Sequence, residues 1–212
     1  MEHRAAGEPI SSVWLGARLA APARELGVEL EARALEGLAR YASLVLEWGA
    51  RINLTSARSP ERLTDEHIAD ALALLRHLPA EPFRFVDVGS GAGLPGLALA
   101  LLRPRASGVL LEPVRKKHAF LAHAVRELGL GGRIEARAER DGAHAATGSY
   151  DAALSRATWR ADLWLERGST LPRPGGRVIG FEGATPVALP AGTTRHPYTL
   201  HGRRRSILVR EV

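Results

Sequence analysis

Residues 83–96 read FRFVDVGSGAGLPG, an apolar run that breaks into Gly89, Gly91, Gly93 and Gly96. Glycines let the backbone turn with positive φ and let a ligand come close, and the amides of a helix that starts there offer hydrogen-bond donors. Gly91–Gly96 satisfies the G-x-G-x-x-G dinucleotide fingerprint, a weak signal when alone. Glu112 ends the next apolar run, where an acid can accept both hydroxyls of a ribose. Loop and acid together describe a site for a nucleoside-containing cofactor, and an NAD-linked oxidoreductase is one reading of them. The chain has no cysteine, which excludes a thiolate nucleophile, Cys-ligated zinc and iron–sulfur chemistry. His67 has no second histidine at a ligand spacing, so no metal is expected.

Such a loop needs a strand before it and a helix after it. From residue 83 onward, strand patterns at 83–88, 108–111, 133–136, 150–155 and 177–181 alternate with helical patterns at 94–102, 114–128 and 162–171. That alternation predicts βαβ units and a mostly parallel sheet. Thr199–His201, Gly202 and Ser206–Val209 read as strand, turn and strand, so the last pair should be antiparallel. Upstream, Leu35, Leu38, Ala39, Ala42, Val45 and Leu46 share one helix face, and that helix should end near Trp48-Gly49. Ser59-Pro60-Glu61 marks another helix start, and Pro79 and Pro82 close the region. The expected organisation is an N-terminal helical extension over residues 1–80 and one compact cofactor-binding domain over 81–212.

Hydrophobic residues make up 45% and charged residues 25% of the chain, a globular balance that excludes wholesale disorder. No apolar run is long enough to span a membrane, and Met1-Glu2-His3-Arg4 leads into no secretory apolar stretch, so a cytoplasmic location is expected. Lys116 and Lys117 are the only lysines among 29 basic residues, a bias that looks like genome composition and discounts arginine count as evidence for nucleic acid. Position tells more. Residues 1–82 carry 9 basic and 12 acidic groups (−3), residues 83–151 carry 10 and 7 (+3), and residues 152–212 carry 10 and 4 (+6). A polyanion and ordinary solvent suit that surface equally on charge alone. Lys116, Lys117 and the run Arg203, Arg204, Arg205 are the candidate phosphate contacts.

Asp87 followed by Gly89, Gly91 and Gly93 resembles the D-x-G-x-G-x-G signature of class I S-adenosylmethionine-dependent methyltransferases. In that group a polar contact to adenine commonly follows the third strand, where Glu139 stands. Enzymes of that group acting on exocyclic amines carry an Asn/Asp-Pro-Pro-aromatic motif after the fourth strand; Ser155-Arg156-Ala157-Thr158 stands there instead. C5-pyrimidine enzymes usually need a cysteine. Guanine N7 needs neither, since it bears an in-plane lone pair and no proton.

Several ordered segments resemble one family, the RsmG (glucose-inhibited division protein B) family of 16S ribosomal RNA guanine-N7 methyltransferases. Residues 48–56, WGARINLTS, are similar to its W-N-x-x-x-N-L-T, and residues 67–71, HIADA, to its H-I-x-D-S. The glycine loop keeps its Leu/Phe-Pro-Gly ending. Residues 112–121, EPVRKKHAFL, follow D-S-x-x-K-[KR]-x-x-F-L, while Arg137-Ala138-Glu139 and Ser155-Arg156-Ala157 match R-[AV]-E and S-R-A. The resemblance implies a Rossmann-like α/β sheet of seven strands with an antiparallel last strand and S-adenosylmethionine as cofactor. It implies 16S ribosomal RNA or the small ribosomal subunit as partner; a monomer is expected. Asp87, Gly89, Gly91, Leu94, Glu112, Ala138, Glu139 and Arg156 would bind cofactor, and Arg156 would also lie beside the reacting end. Asn53 alone reads as a turn residue, and the resemblance adds a catalytic role at the site edge. Departures from the family include Glu112 for its Asp, Ala71 and Pro113 each for its Ser, and Glu182 for a Lys, which reverses a charge where the active-site rim is expected and leaves a non-catalytic ribosome-binding relative as an alternative.

Overall fold

In the computed structural model, which describes residues 9–140, 147–156, 158–183 and 185–212, strands and helices alternate from Arg84 onward. Strands β1 (Arg84–Val88), β2 (Ser107–Leu111), β3 (Ile134–Arg137), β4 (Tyr150–Ser155) and β5 (Pro172–Glu182) are joined by β6 (Thr193–Leu200) and β7 (Arg203–Glu211). They form one sheet in the order β3-β2-β1-β4-β5-β7-β6. The first five are parallel, and β7 runs antiparallel to both of its neighbours. The order reverses at β1, which pairs with β2 on one side and β4 on the other, so its carboxyl end opens the crevice where such sheets bind ligands.

Alternation along β1 sorts its side chains to two faces. Phe85 joins a buried cluster with Leu38, Leu72, Leu97 and Leu110, whereas Val86 and Val88 join Val109, Leu165, Val178 and Trp164 on the other side. The first cluster is shared between the sheet and helices α1 (Ser12–Glu25), α2 (Ala32–Gly49) and α4 (Ala69–Leu74), so the N-terminal helices cover one sheet face. Helices α5 (Gly96–Leu102), α6 (Arg115–Glu127) and α7 (Ala161–Arg167) are the crossovers. Among the described residues no helix is long and apolar enough to cross a membrane.

Three features depart from the expected elements. α1 is capped by Ser11, whose hydroxyl accepts from the Trp14 amide, and it buries Leu15, Leu19, Pro22 and Ala23 at helical spacing. The helical run that starts with α3 (Pro60–Leu63), capped by Ser59, is interrupted by a π-turn over Thr64–Ile68 before α4. The terminal hairpin is far longer than its expected pieces. β6 is the sheet edge, where Pro197 is tolerated, and its residues before Tyr198 are polar or proline, so only Tyr198 and Leu200 give it an apolar inward face.

α2 also reaches the glycine loop. The Tyr41 hydroxyl, fully buried, donates to the Ala92 carbonyl at 2.7 Å. Tyr41→Phe keeps the ring but strands that buried carbonyl, at a cost of roughly 1–3 kcal/mol. Calorimetry should show a fall in Tm of about 2–4 °C per kcal/mol in a chain of this size. An unchanged Tm would mean that the loop does not lean on this bond.

Candidate active site

After Val88 the backbone turns through Gly89, Gly91 and Gly93, all at positive φ. A Cβ at Gly89 would run into the Thr158 side chain, so both conformation and space demand glycine there. Asp87 fastens the far end of the loop. Its Oδ2 accepts from the Gly96 amide at 3.0 Å, where α5 begins. Complete burial pushes the Asp87 carboxyl up to about 6. Glu112, 4% exposed, accepts from the Gly91 amide through Oε2 and from the Val114 amide through Oε1, each at 2.9 Å. A carboxylate offers about four lone-pair sites, so Glu112 can shape the loop and still accept from a ligand.

Loop and acid form one wall of a cleft of about 440 Å³ that also touches Thr55, His67, Lys117 and Arg156. The volume falls within the roughly 300–1,000 Å³ of small-molecule sites. Of the expected cofactor residues, the fold brings Gly89, Gly91, Leu94, Glu112 and Arg156 together here. Asp87 is not among the lining residues; it is buried beneath the loop and braces it at Gly96. Ala138 and Glu139 follow β3, whose last residue accepts from the Glu112 amide, yet neither lines the described cleft. Asn53 is not among the lining residues either. It is exposed in the turn after α2 and its Oδ1 accepts from Arg58 at 2.9 Å, while Leu54, Thr55 and Ser56 face the cleft. Lys117, expected at phosphate, lines the cleft, and Lys116 is exposed.

The π-turn explains His67. Its Nε2 lies 3.2 Å from the Thr55 hydroxyl, and burial, reinforced by Arg156, pushes its pKa down to about 3. Its imidazole is neutral near pH 7 and a poor base. Among the described residues no group of three or more His, Asp or Glu could hold a metal ion.

Arg156 leaves β4 and points at a second feature. Its Nη1 donates to Asp70 Oδ2 at 3.3 Å, and the same oxygen accepts from Arg205 Nη1 at 2.6 Å. The other oxygen accepts from the Tyr198 hydroxyl at 2.8 Å. Burial, then the Asp70 charge, raise the Tyr198 phenol far above its usual range, so it stays a donor. Arg205 is therefore committed inward and is not a free phosphate contact. Arg203 reaches Glu66 at 3.3 Å from an exposed position, and Arg204 has no ion-pair partner among the described residues. Glu182 is buried against Arg195, whose Nε lies 2.7 Å from it, and it also accepts from the Val187 amide. The charge reversal is thus neutralised in place, and its carboxylate is engaged away from solvent.

Residue type and spacing do not mark Tyr41, Tyr198 or Thr158 for the site; the scarcity of tyrosine, three in the chain, is the one signal that sets the first two apart.

A family model described as rRNA small subunit methyltransferase G matches residues 34–205. The chain belongs to this family. It is 35% identical over 194 residues to the ribosomal RNA small subunit methyltransferase G of Azoarcus sp. (strain BH72), covering 87% of this chain and 90% of that one. The protein of the same name from Halorhodospira halophila is 46% identical over 116 residues, 55% of this chain and 54% of its own. Among solved structures, an S-adenosylmethionine-dependent methyltransferase from Aquifex aeolicus superposes with a TM-score of 0.54 at 14% identity, covering 71% of this chain and 93% of that one. That likeness establishes the shared class I methyltransferase fold.

Because His67 takes a proton near 6.5 when unfolded and near 3 when folded, its contribution to stability is complete above about pH 6.5 and is lost as pH falls toward 3. His67→Gln should remove that loss. Denaturation of both proteins between pH 7 and 4 should show the wild type losing stability more steeply, by up to about 1.4 kcal/mol per pH unit. Parallel curves would show that His67 titrates normally in the fold.

Proposed function

We propose that the protein transfers a methyl group from S-adenosylmethionine to N7 of a guanine in small-subunit (16S) ribosomal RNA. The observation that carries this reading is the extent of the family match. The matched residues 34–205 reach from α2 past the glycine loop, Glu112 and Arg156 into the terminal hairpin. Every part of the described site lies inside it.

The donor set suits that cofactor. Gly89 and Gly91 permit close backbone approach, Leu94 supplies an apolar contact, and Glu112 keeps acceptor capacity for ribose hydroxyls. Ala138 and Glu139, one strand further along the same sheet edge, are the candidates for the adenine end. When bound, S-adenosylmethionine supplies an electrophilic sulfonium methyl. Guanine N7 carries a lone pair and no proton, so no side chain has to remove one. His67, neutral and weakly basic, is in keeping with that. The chain's own work is positioning and electrostatics, and Arg156 is the candidate for both, since it lines the cleft while Asp70 holds its guanidinium.

Labelled methyl should pass from S-adenosylmethionine into 16S ribosomal RNA, presented free or in the small subunit, with 7-methylguanosine as the product. No incorporation in any RNA form, or binding of NAD in place of S-adenosylmethionine by titration calorimetry, would overturn the reading. Arg156→Lys keeps a charge but loses the planar fork of donors. Its turnover should fall at least about tenfold, roughly 1.4 kcal/mol of transition-state stabilisation, in a protein that still folds. Wild-type turnover in that variant would make Arg156 a structural residue.

A further inference from the structure

Guanine N7 lies on the edge of the base that an A-form helix turns into its deep, narrow major groove, out of reach of side chains. Enzymes that act on a base in such a setting take it out of the stack. An extruded base needs rings to replace its lost stacking and a cation for its phosphate.

A pocket of about 760 Å³ offers both, and it adjoins the cofactor cleft. Arg156 lines the two, so a single side chain stands where they meet. The rings of Trp159, Phe181 and Tyr198 line the pocket. Trp159 is backed by a parallel stack on Trp164 with centroids 5.7 Å apart, and Arg167 lies 5.9 Å from its centroid. Trp164 is fixed in turn by its indole N–H, which donates to the Ile179 carbonyl at 2.9 Å. A ring held in this way loses little freedom when a base lies against it.

The charge of the pocket is one-sided. Its two carboxylates are already spent, Asp70 on Arg156, Arg205 and Tyr198, and Glu182 on Arg195 and the Val187 amide. At the rim, Arg203 is tied to Glu66 by an exposed pair worth little, and Arg204 has no partner among the described residues. The turn between β6 and β7 lies beside the carboxyl end of β5, because Glu182 pairs with Ser206 in the antiparallel ladder. The hairpin therefore brings these arginines to the edge where β4 releases Arg156.

We propose that this pocket receives an extruded purine nucleotide of RNA, its base among Trp159, Phe181 and Tyr198 and its phosphate on Arg204, so that N7 is presented past Arg156. The proposal rests on the methyl-transfer reading above.

The test combines steady-state methyl transfer to the RNA form that the wild type accepts with RNA titrations at several salt concentrations. Arg204→Ala, an exposed change, should raise KM for RNA severalfold and lower the salt slope by about one. Arg40→Ala, on the exposed face of α2, should leave that slope as it is. Trp159→Ala should lower kcat/KM for RNA at least about fivefold, with Trp159→Phe recovering most of it and S-adenosylmethionine affinity unchanged in both. Arg204→Ala decides the matter if Trp159→Ala does not fold. Variants that bind S-adenosylmethionine but keep the wild-type KM and salt slope would overturn the pocket and leave methyl transfer standing. A wild type that methylates no RNA would remove both.

Discussion

A single buried carboxylate ties the working parts together. Asp70 is 5% exposed and collects Arg156 from the end of β4, Tyr198 from β6 and Arg205 from β7. Its own helix belongs to the N-terminal layer. A charge buried this far persists only when its lone pairs are satisfied, and removing one partner typically costs several kcal/mol. The terminal hairpin, the cleft-lining Arg156 and the helical layer are therefore held in one arrangement by the electrostatic need of one side chain. The π-turn just before α4 belongs to the same construction, since it sets His67 into the cleft while Asp70 faces the hairpin.

The cofactor side is built by a different economy of hydrogen bonds. The Gly89 and Ser90 amides of the glycine loop donate to the Leu111 carbonyl, and three side chains pin its backbone further: Asp87 at Gly96, Glu112 at Gly91 and Tyr41 at Ala92. Each of these side chains is buried and each bonds the main chain. A loop fixed before its ligand arrives loses less entropy on binding, which is the physical meaning of preorganisation. It also accounts for an acid directly beneath the loop that does not face the cleft.

Much of this was legible in the residues. Strand–helix alternation after residue 83 specifies a parallel sheet, since apolar runs of strand length separated by amphipathic helices have few other ways to bury their faces. The glycine loop and Glu112 locate the cleft, because positive φ and close approach are demands that few other residues meet. Arg156 could be named because it follows a strand at the edge where ligands bind.

Other assignments required distances between residues far apart in the chain. Asp87 reads as a ligand residue from its motif, and only its complete burial makes it a brace. Asn53 and Thr55 are two positions apart, and the direction of the turn after α2, not residue type, chooses Thr55 for the cleft. Arg203, Arg204 and Arg205 are identical in sequence terms, but alternation along β7 sends Arg205 inward to Asp70 and leaves Arg204 outside. Glu182 reads as a reversed charge until Arg195, thirteen residues on and across the hairpin, is found against it. The sequence by itself determined which chemistry is present and on what kind of sheet, because local propensity and apolar periodicity act over a few residues. Tertiary structure alone decided which charges meet, because burial and pairing depend on segments that the chain brings together only when it folds.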